Sequence, residues 1–210
     1  MPVTQAITRP LAAVSHGEPD PAPPNDNRPV YLAWGAAWLV GYGAMALDGS
    51  FVLDLPSIVP PVLLAVGLLA AAVVTGLTTA RAQRGASPAA KAAGTMIGAA
   101  WVIAFTALFV MITALDRVLE HDHLQTVIWP AGSAFVVGLL YLAGGAVTGD
   151  RLQYALGSWL AIIGTAAVFL DTPGLYAVLA IAGTGGYGVA AALEPRRLTN
   201  AASPRRSASA

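Results

Sequence analysis

Asp116-Arg117-Val118-Leu119-Glu120-His121-Asp122-His123 is the one run in this sequence where carboxylates and imidazoles crowd together. On a helix, Asp116, Glu120 and His123 stand at i, i+4 and i+7 and share one face. Carboxylate and imidazole together suit Zn²⁺ or a similar borderline cation, and an imidazole also titrates near neutral pH. These three residues are therefore the candidate metal ligands, or a proton-sensing group. They converge only if the helix before them continues outward, with Val118 and Leu119 packing inward. The alternative is a solvated loop in which Arg117 neutralises its acidic neighbours.

Other chemistry is hard to find. There is no cysteine, which removes disulfides, thiolate metal sites and a Cys nucleophile together. Lys91 lies between Ala90 and Ala92, whereas a phosphate-cradling loop needs Gly before its Lys. Ser133 and Ser158 have no His near them in the sequence, and His-Glu-x-x-His does not occur. Only Asp150 could serve as an acidic group at the inner membrane face. The chain is expected not to be an enzyme and to need no cofactor.

The elements around these residues explain the scarcity. Six apolar stretches, at 31–47, 57–80, 92–115, 128–149, 152–170 and 173–193, contain no Asp, Glu, Lys, Arg or His. At about 1.5 Å rise per residue, about 20 helical residues cross a hydrocarbon core of about 30 Å. The expected fold is an all-α polytopic bundle of six transmembrane helices over 30–194. Residues 1–29, rich in Pro, and 195–210 are expected to be disordered polar tails. Residues 1–29 lack the early apolar run of a signal peptide. Only 10% of the residues are charged and the formal net charge is zero, so no nucleic acid partner is expected. The bilayer itself is the expected partner, with a second copy or a partner subunit left open.

Orientation follows from the basic residues, which cytoplasmic loops retain. Arg9 and Arg28 precede the first stretch. Arg81, Arg84 and Lys91 lie in the second connection, Arg151 in the fourth, and Arg196, Arg197, Arg205 and Arg206 follow the last. The odd-numbered connections hold Arg117 as their sole basic residue, together with Asp48, Asp54, Asp116, Glu120, Asp122 and Asp171. Both termini are thus expected in the cytoplasm. Tyr31, Trp34 and Tyr154 would anchor the inner interface, and Trp129 and Tyr176 the outer one. Ten Arg against one Lys, with Ala- and Gly-rich spans, is the usage of a GC-rich genome, which points to a bacterial cytoplasmic membrane.

Internal echoes run through the chain. Gly35-Ala36-Ala37-Trp38-Leu39-Val40 recurs as Gly98-Ala99-Ala100-Trp101-Val102-Ile103 and, more loosely, as Gly157-Ser158-Trp159-Leu160. Val66-Gly67-Leu68-Leu69 recurs as Val137-Gly138-Leu139-Leu140. The pattern suggests three repeated helical hairpins; chance matching in so small an alphabet is the alternative. Gly183, Gly185, Gly186 and Gly188 crowd the last span. They are expected to be helix-packing sites, or else a locally unwound segment that offers carbonyls to a solute. Thr75, Thr95, Thr106, Thr113, Thr165 and Thr184 either bond their own backbone or line a path.

Arg28-Pro29-Val30-Tyr31-Leu32-Ala33-Trp34-Gly35 and Gly149-Asp150-Arg151-Leu152-Gln153-Tyr154-Ala155-Leu156-Gly157 resemble segments of small actinobacterial integral membrane proteins, a group loosely described as transporters or permeases. The hairpin echo is similar to the acid-resistance membrane protein family, which is built from repeated two-helix units. Neither resemblance carries a catalytic or binding residue to this chain. They imply a small transporter or permease-type protein for a neutral or amphipathic solute. The alternative is a non-transporting membrane scaffold or a sensor of pH or metal stress.

Overall fold

The computed structural model describes residues 25–119 and 124–202, and among them there is no strand. The helices are α1 (Arg28–Gly49), α2 (Val59–Gln83), α3 (Pro88–Leu119), α4 (Leu124–Thr148), α5 (Arg151–Ala167), α6 (Thr172–Val178) and α7 (Thr184–Ala202). A π-helical turn, Leu179–Gly183, joins α6 to α7 without a break. Proline sits in the first turn of α1, α2 and α6, where its missing N–H is no loss. Five helices are long and apolar enough to cross a membrane: α1, α2, α3, α4 and the continuous α6–α7 rod. At 17 residues α5 is shorter, about 26 Å long.

The closest pairing is between α4 and α5, followed by α1 and α2. The first of these joins helices from two different expected hairpins, and the second lies within one. The α4–α5 turn is tight because Gly149 adopts a left-handed φ of +70° and the Asp150 N–H returns to the Gly145 carbonyl at 2.9 Å. That is the glycine-terminated helix end of the Schellman type. Asp150 then caps α5, its carboxylate accepting the N–H groups of Leu152 and Gln153 at 3.0 and 3.1 Å.

Beyond the turn the two backbones nearly touch. Gly138 and Gly145 on α4, and Gly157 and Gly164 on α5, each recur at a seven-residue interval, which keeps a small residue in the seam of two antiparallel helices. A Cβ on Gly138 would fall 2.8 Å from the Ala161 Cα, and one on Gly164 2.9 Å from the Ala134 Cβ. In lipid, where burying apolar side chains brings no gain, such close approach is what holds helices together. The α1–α2 pair uses the same device, with Gly41 against Leu64 and Gly67 against Ala37.

Helices α1, α4, α5 and the α6–α7 rod form the core, with Tyr31, Trp38, Tyr42, Leu160, Leu175 and Tyr187 at its centre. Helices α2 and α3 are peripheral. Each leans on a single neighbour, α1 and α4 respectively, and exposes Val66, Leu69, Val73, Ile103, Val110 and Met111. Such surfaces are stable against lipid and not against water.

Two expected boundaries differ. Residues 28–29 belong to α1, and α7 runs on through Pro195 to Ala202 instead of yielding a polar tail from residue 195. The reason lies at the basic end of the bundle. Glu194 is fully buried, accepts the Asn27 N–H at 2.8 Å, and accepts two bonds from the Arg197 guanidinium, one from Nε and one from a terminal nitrogen. Arg197 also donates to the Asn25 carbonyl and pairs with Asp150 at 3.2 Å. One guanidinium therefore ties α7, the entry to α1 and the α4–α5 turn together. Residues 1–24 and 203–210 of the expected tails lie outside the described residues.

Candidate binding cavity

Trp34, Trp38, Tyr42 and Met45 fall at i, i+4, i+8 and i+11 of α1, which places them on one face. That face lines a cavity of about 450 Å³ between α1, α2, α3, α4 and α6. Phe105 of α3, Trp129 of α4 and Tyr176 of α6 complete an aromatic wall, and Leu64 and Leu68 of α2 close one side. From Met45 to Trp34 the lining runs about 17 Å along α1. The Met45 end lies at the acidic end of the bundle, where the helices of Gln125 and Tyr176 begin. Leu64 and Phe105 lie on α2 and α3, which share little contact with each other.

The polar edges of the rings are tied back into the protein. The Trp34 indole N–H donates to Thr75 Oγ1 at 3.0 Å, and the Tyr176 hydroxyl donates to the Thr126 carbonyl at 3.2 Å. Tyr42 and Tyr176 are stacked with centroids 6.1 Å apart, and the Trp38 ring stands at 86° to Tyr42. Gln125, Thr126 and Ser133 are the polar residues of the lining, and no charged side chain reaches it. A mostly apolar cleft, rich in aromatic rings and with a few neutral hydrogen-bonding groups, is the usual make-up of a site for an organic molecule.

The external cluster gives less. Asp116 is half-buried near the end of α3, while Glu120 and His123 lie outside the described residues. Val118 and Leu119 are exposed, Val118 at 78%, and so do not pack inward as a converging site requires. Among the described residues no group of three metal-ligating side chains occurs.

The glycines of the last span divide into two pairs. Gly183 lies against the Trp38 ring, and a Cβ on Gly186 would fall 2.6 Å from Trp159 Cδ1, so these two mark close packing. Gly185 and Gly188 have nothing within 4 Å of a built Cβ and are not packing sites. The π-turn is a local departure from α geometry, but its Ala182 carbonyl accepts the Trp159 indole N–H at 2.8 Å. That carbonyl serves the fold and does not face a solute.

The threonines follow their commoner role. Thr75, Thr95, Thr113 and Thr165 donate to carbonyls four residues back, and Thr184 reaches across to the Gly35 carbonyl at 3.0 Å. A Thr-lined path is thus replaced by an aromatic cavity. Of the expected interfacial anchors, Tyr154 is exposed, whereas Tyr31 is 1% exposed and sits in the core; Trp34, Trp129 and Tyr176 turn inward to the cavity. The helical spacing of Trp34, Trp38, Tyr42 and Met45 on α1 is the one signal of the cavity that the sequence carries. The Glu194–Arg197–Asp150 knot had no such signal. No protein-family model, curated protein or solved structure matches this chain.

Proposed function

We propose that this protein is a small transporter or permease-type protein of the bacterial cytoplasmic membrane that binds an amphipathic organic solute in the aromatic cavity. The observation that carries this reading is the cavity itself: about 450 Å³, lined by six aromatic rings, inside an apolar bundle. The sparse contact between α2 and α3 suits a solute that enters from the lipid. In this reading α5 also crosses the membrane, as the fifth of six spans. Six spans keep Arg81, Arg84, Arg151 and Arg197 on the cytoplasmic side and Asp48, Asp54, Asp116 and Asp171 outside, in accord with the retention of positive charge. The knot at Glu194 then closes the cytoplasmic end beneath the cavity.

Uptake of labelled amphipathic solutes into proteoliposomes tests the activity, with Ser133→Trp as the variant that fills the cavity. Uptake by the wild type and its loss in a folded Ser133→Trp protein is the expected result. Solute binding without uptake in the wild type would instead favour a sensor. Reporter fusions test the threading: those after Arg84 and Arg197 should behave as cytoplasmic, and those after Asp54 and Glu120 as external.

A further inference from the structure

We infer that the cavity is selective for organic cations, quaternary ammonium compounds above all, which it holds by the faces of its aromatic rings. This rests on the reading of the cavity as a solute site and adds the charge of the solute. Six rings line the space: Trp34, Trp38, Tyr42, Phe105, Trp129 and Tyr176. An aromatic face carries negative potential and attracts a cation within about 6 Å, and Trp does so best. With the Trp34 N–H and the Tyr176 O–H turned into the wall, these two residues offer ring surface in place of hydrogen-bond donors. Trp38 stands at 86° to Tyr42, and Tyr42 stacks on Tyr176, so the rings of the lining differ in plane and hold one another in place.

An anion would meet the same faces as repulsion, and the lining holds no Arg or Lys to offset it. An ammonium ion with free N–H groups would need acceptors that the cavity supplies sparingly. A quaternary nitrogen has no N–H to satisfy, and its methyl groups fit an apolar wall.

Independent support comes from outside the cavity. Asp48, Asp54, Asp116 and Asp171 lie at the same end of the helices as Met45, Gln125 and Tyr176, against Arg117, and among the described residues none of these four carboxylates forms an ion pair, while those of Asp48 and Asp171 accept backbone N–H groups. An excess of one sign at one end of an apolar bundle concentrates the opposite charge there. The carboxylates collect cations, and the rings retain those with an apolar coat.

The test compares benzyldimethyl(2-hydroxyethyl)ammonium with its uncharged isostere, in which a quaternary carbon replaces the nitrogen, on the purified full-length protein in lipid nanodiscs. The cation should bind about tenfold more tightly than the isostere. Protein made with mono-, di- and trifluorinated tryptophan, which keeps ring shape while draining the face of electron density, should lose cation affinity at each step and keep its affinity for the isostere. Phe105→Leu, a modest change on the cavity wall, should weaken the cation more than the isostere. Equal affinity for the two compounds, or a flat fluorination series, overturns the selectivity and leaves the solute site standing. Binding of neither compound overturns both.

Discussion

Arg197 of α7 and Asp150 of the α4–α5 turn meet at 3.2 Å, and through this pair the end of the last helix holds the tightest hairpin of the bundle. The same guanidinium grips Glu194, which has no exposed surface. A carboxylate so placed is tolerable only while its partner is present.

Arg197→Ala should therefore be among the most damaging single changes outside the apolar core. Removing one member of a buried pair costs about 3–5 kcal/mol, because the remaining charge stays desolvated. Arg197→Lys should recover part of that loss, since an ammonium cannot copy the two-armed grip. Melting of the protein in detergent measures both; equal melting temperatures for wild type and Arg197→Ala would remove the knot as a stabilising element.

Glycine substitutions should separate by position. Gly138→Leu drives a side chain into the α5 backbone and should cost at least about 1–3 kcal/mol, or prevent folding. Gly185→Leu meets open space and should leave the melting temperature nearly unchanged. If the two variants melted alike, the α4–α5 seam would not be the contact that the backbone approach describes.

Trp159→Phe should remove the donor to the Ala182 carbonyl and leave that carbonyl of the π-turn without its partner. A loss of about 1–3 kcal/mol follows. Gly186→Leu should act on the same contact by displacing the Trp159 ring, so the double variant should lose less than the sum of the two single losses. Strict additivity in a thermal-melt cycle would show that the two residues act separately.

At the entry to α1, the hydrogen bond from the Arg28 side chain holds the Asp26 carboxyl below its ordinary pKa. The sign follows from linkage: a depressed carboxylate adds stability above its unfolded pKa and loses it as the pH falls through the folded value. Arg28→Gln should move the Asp26 midpoint upward in an NMR titration. A midpoint that stayed in place would mean that Arg28 does not set it.

The sequence by itself determined the class of this protein and the placement of its charge. Long runs of Ala, Leu, Val and Gly without charged residues form helices long and apolar enough to cross a membrane, where a helix satisfies its own backbone bonds, and the charged residues are confined to the connections and ends. The i, i+4, i+8 spacing of Trp34, Trp38 and Tyr42 is present in the sequence, because helical periodicity is local, but Trp34 read from composition alone is an interfacial anchor. What that face of α1 meets is not present there. Phe105, Trp129 and Tyr176 come from three other helices, and only tertiary packing decides whether an aromatic residue near a span end looks to the interface or inward. The same holds for Glu194. Beside Pro195, Arg196 and Arg197 it has the composition of a solvated tail, yet Asp150 and the Asn27 N–H, both distant in sequence, turn it into the buried centre of the basic end. The glycines make the point at the smallest scale: Gly183 and Gly186 pack while Gly185 and Gly188 do not, because successive residues on a helix point about 100° apart and only neighbouring helices determine which direction is filled.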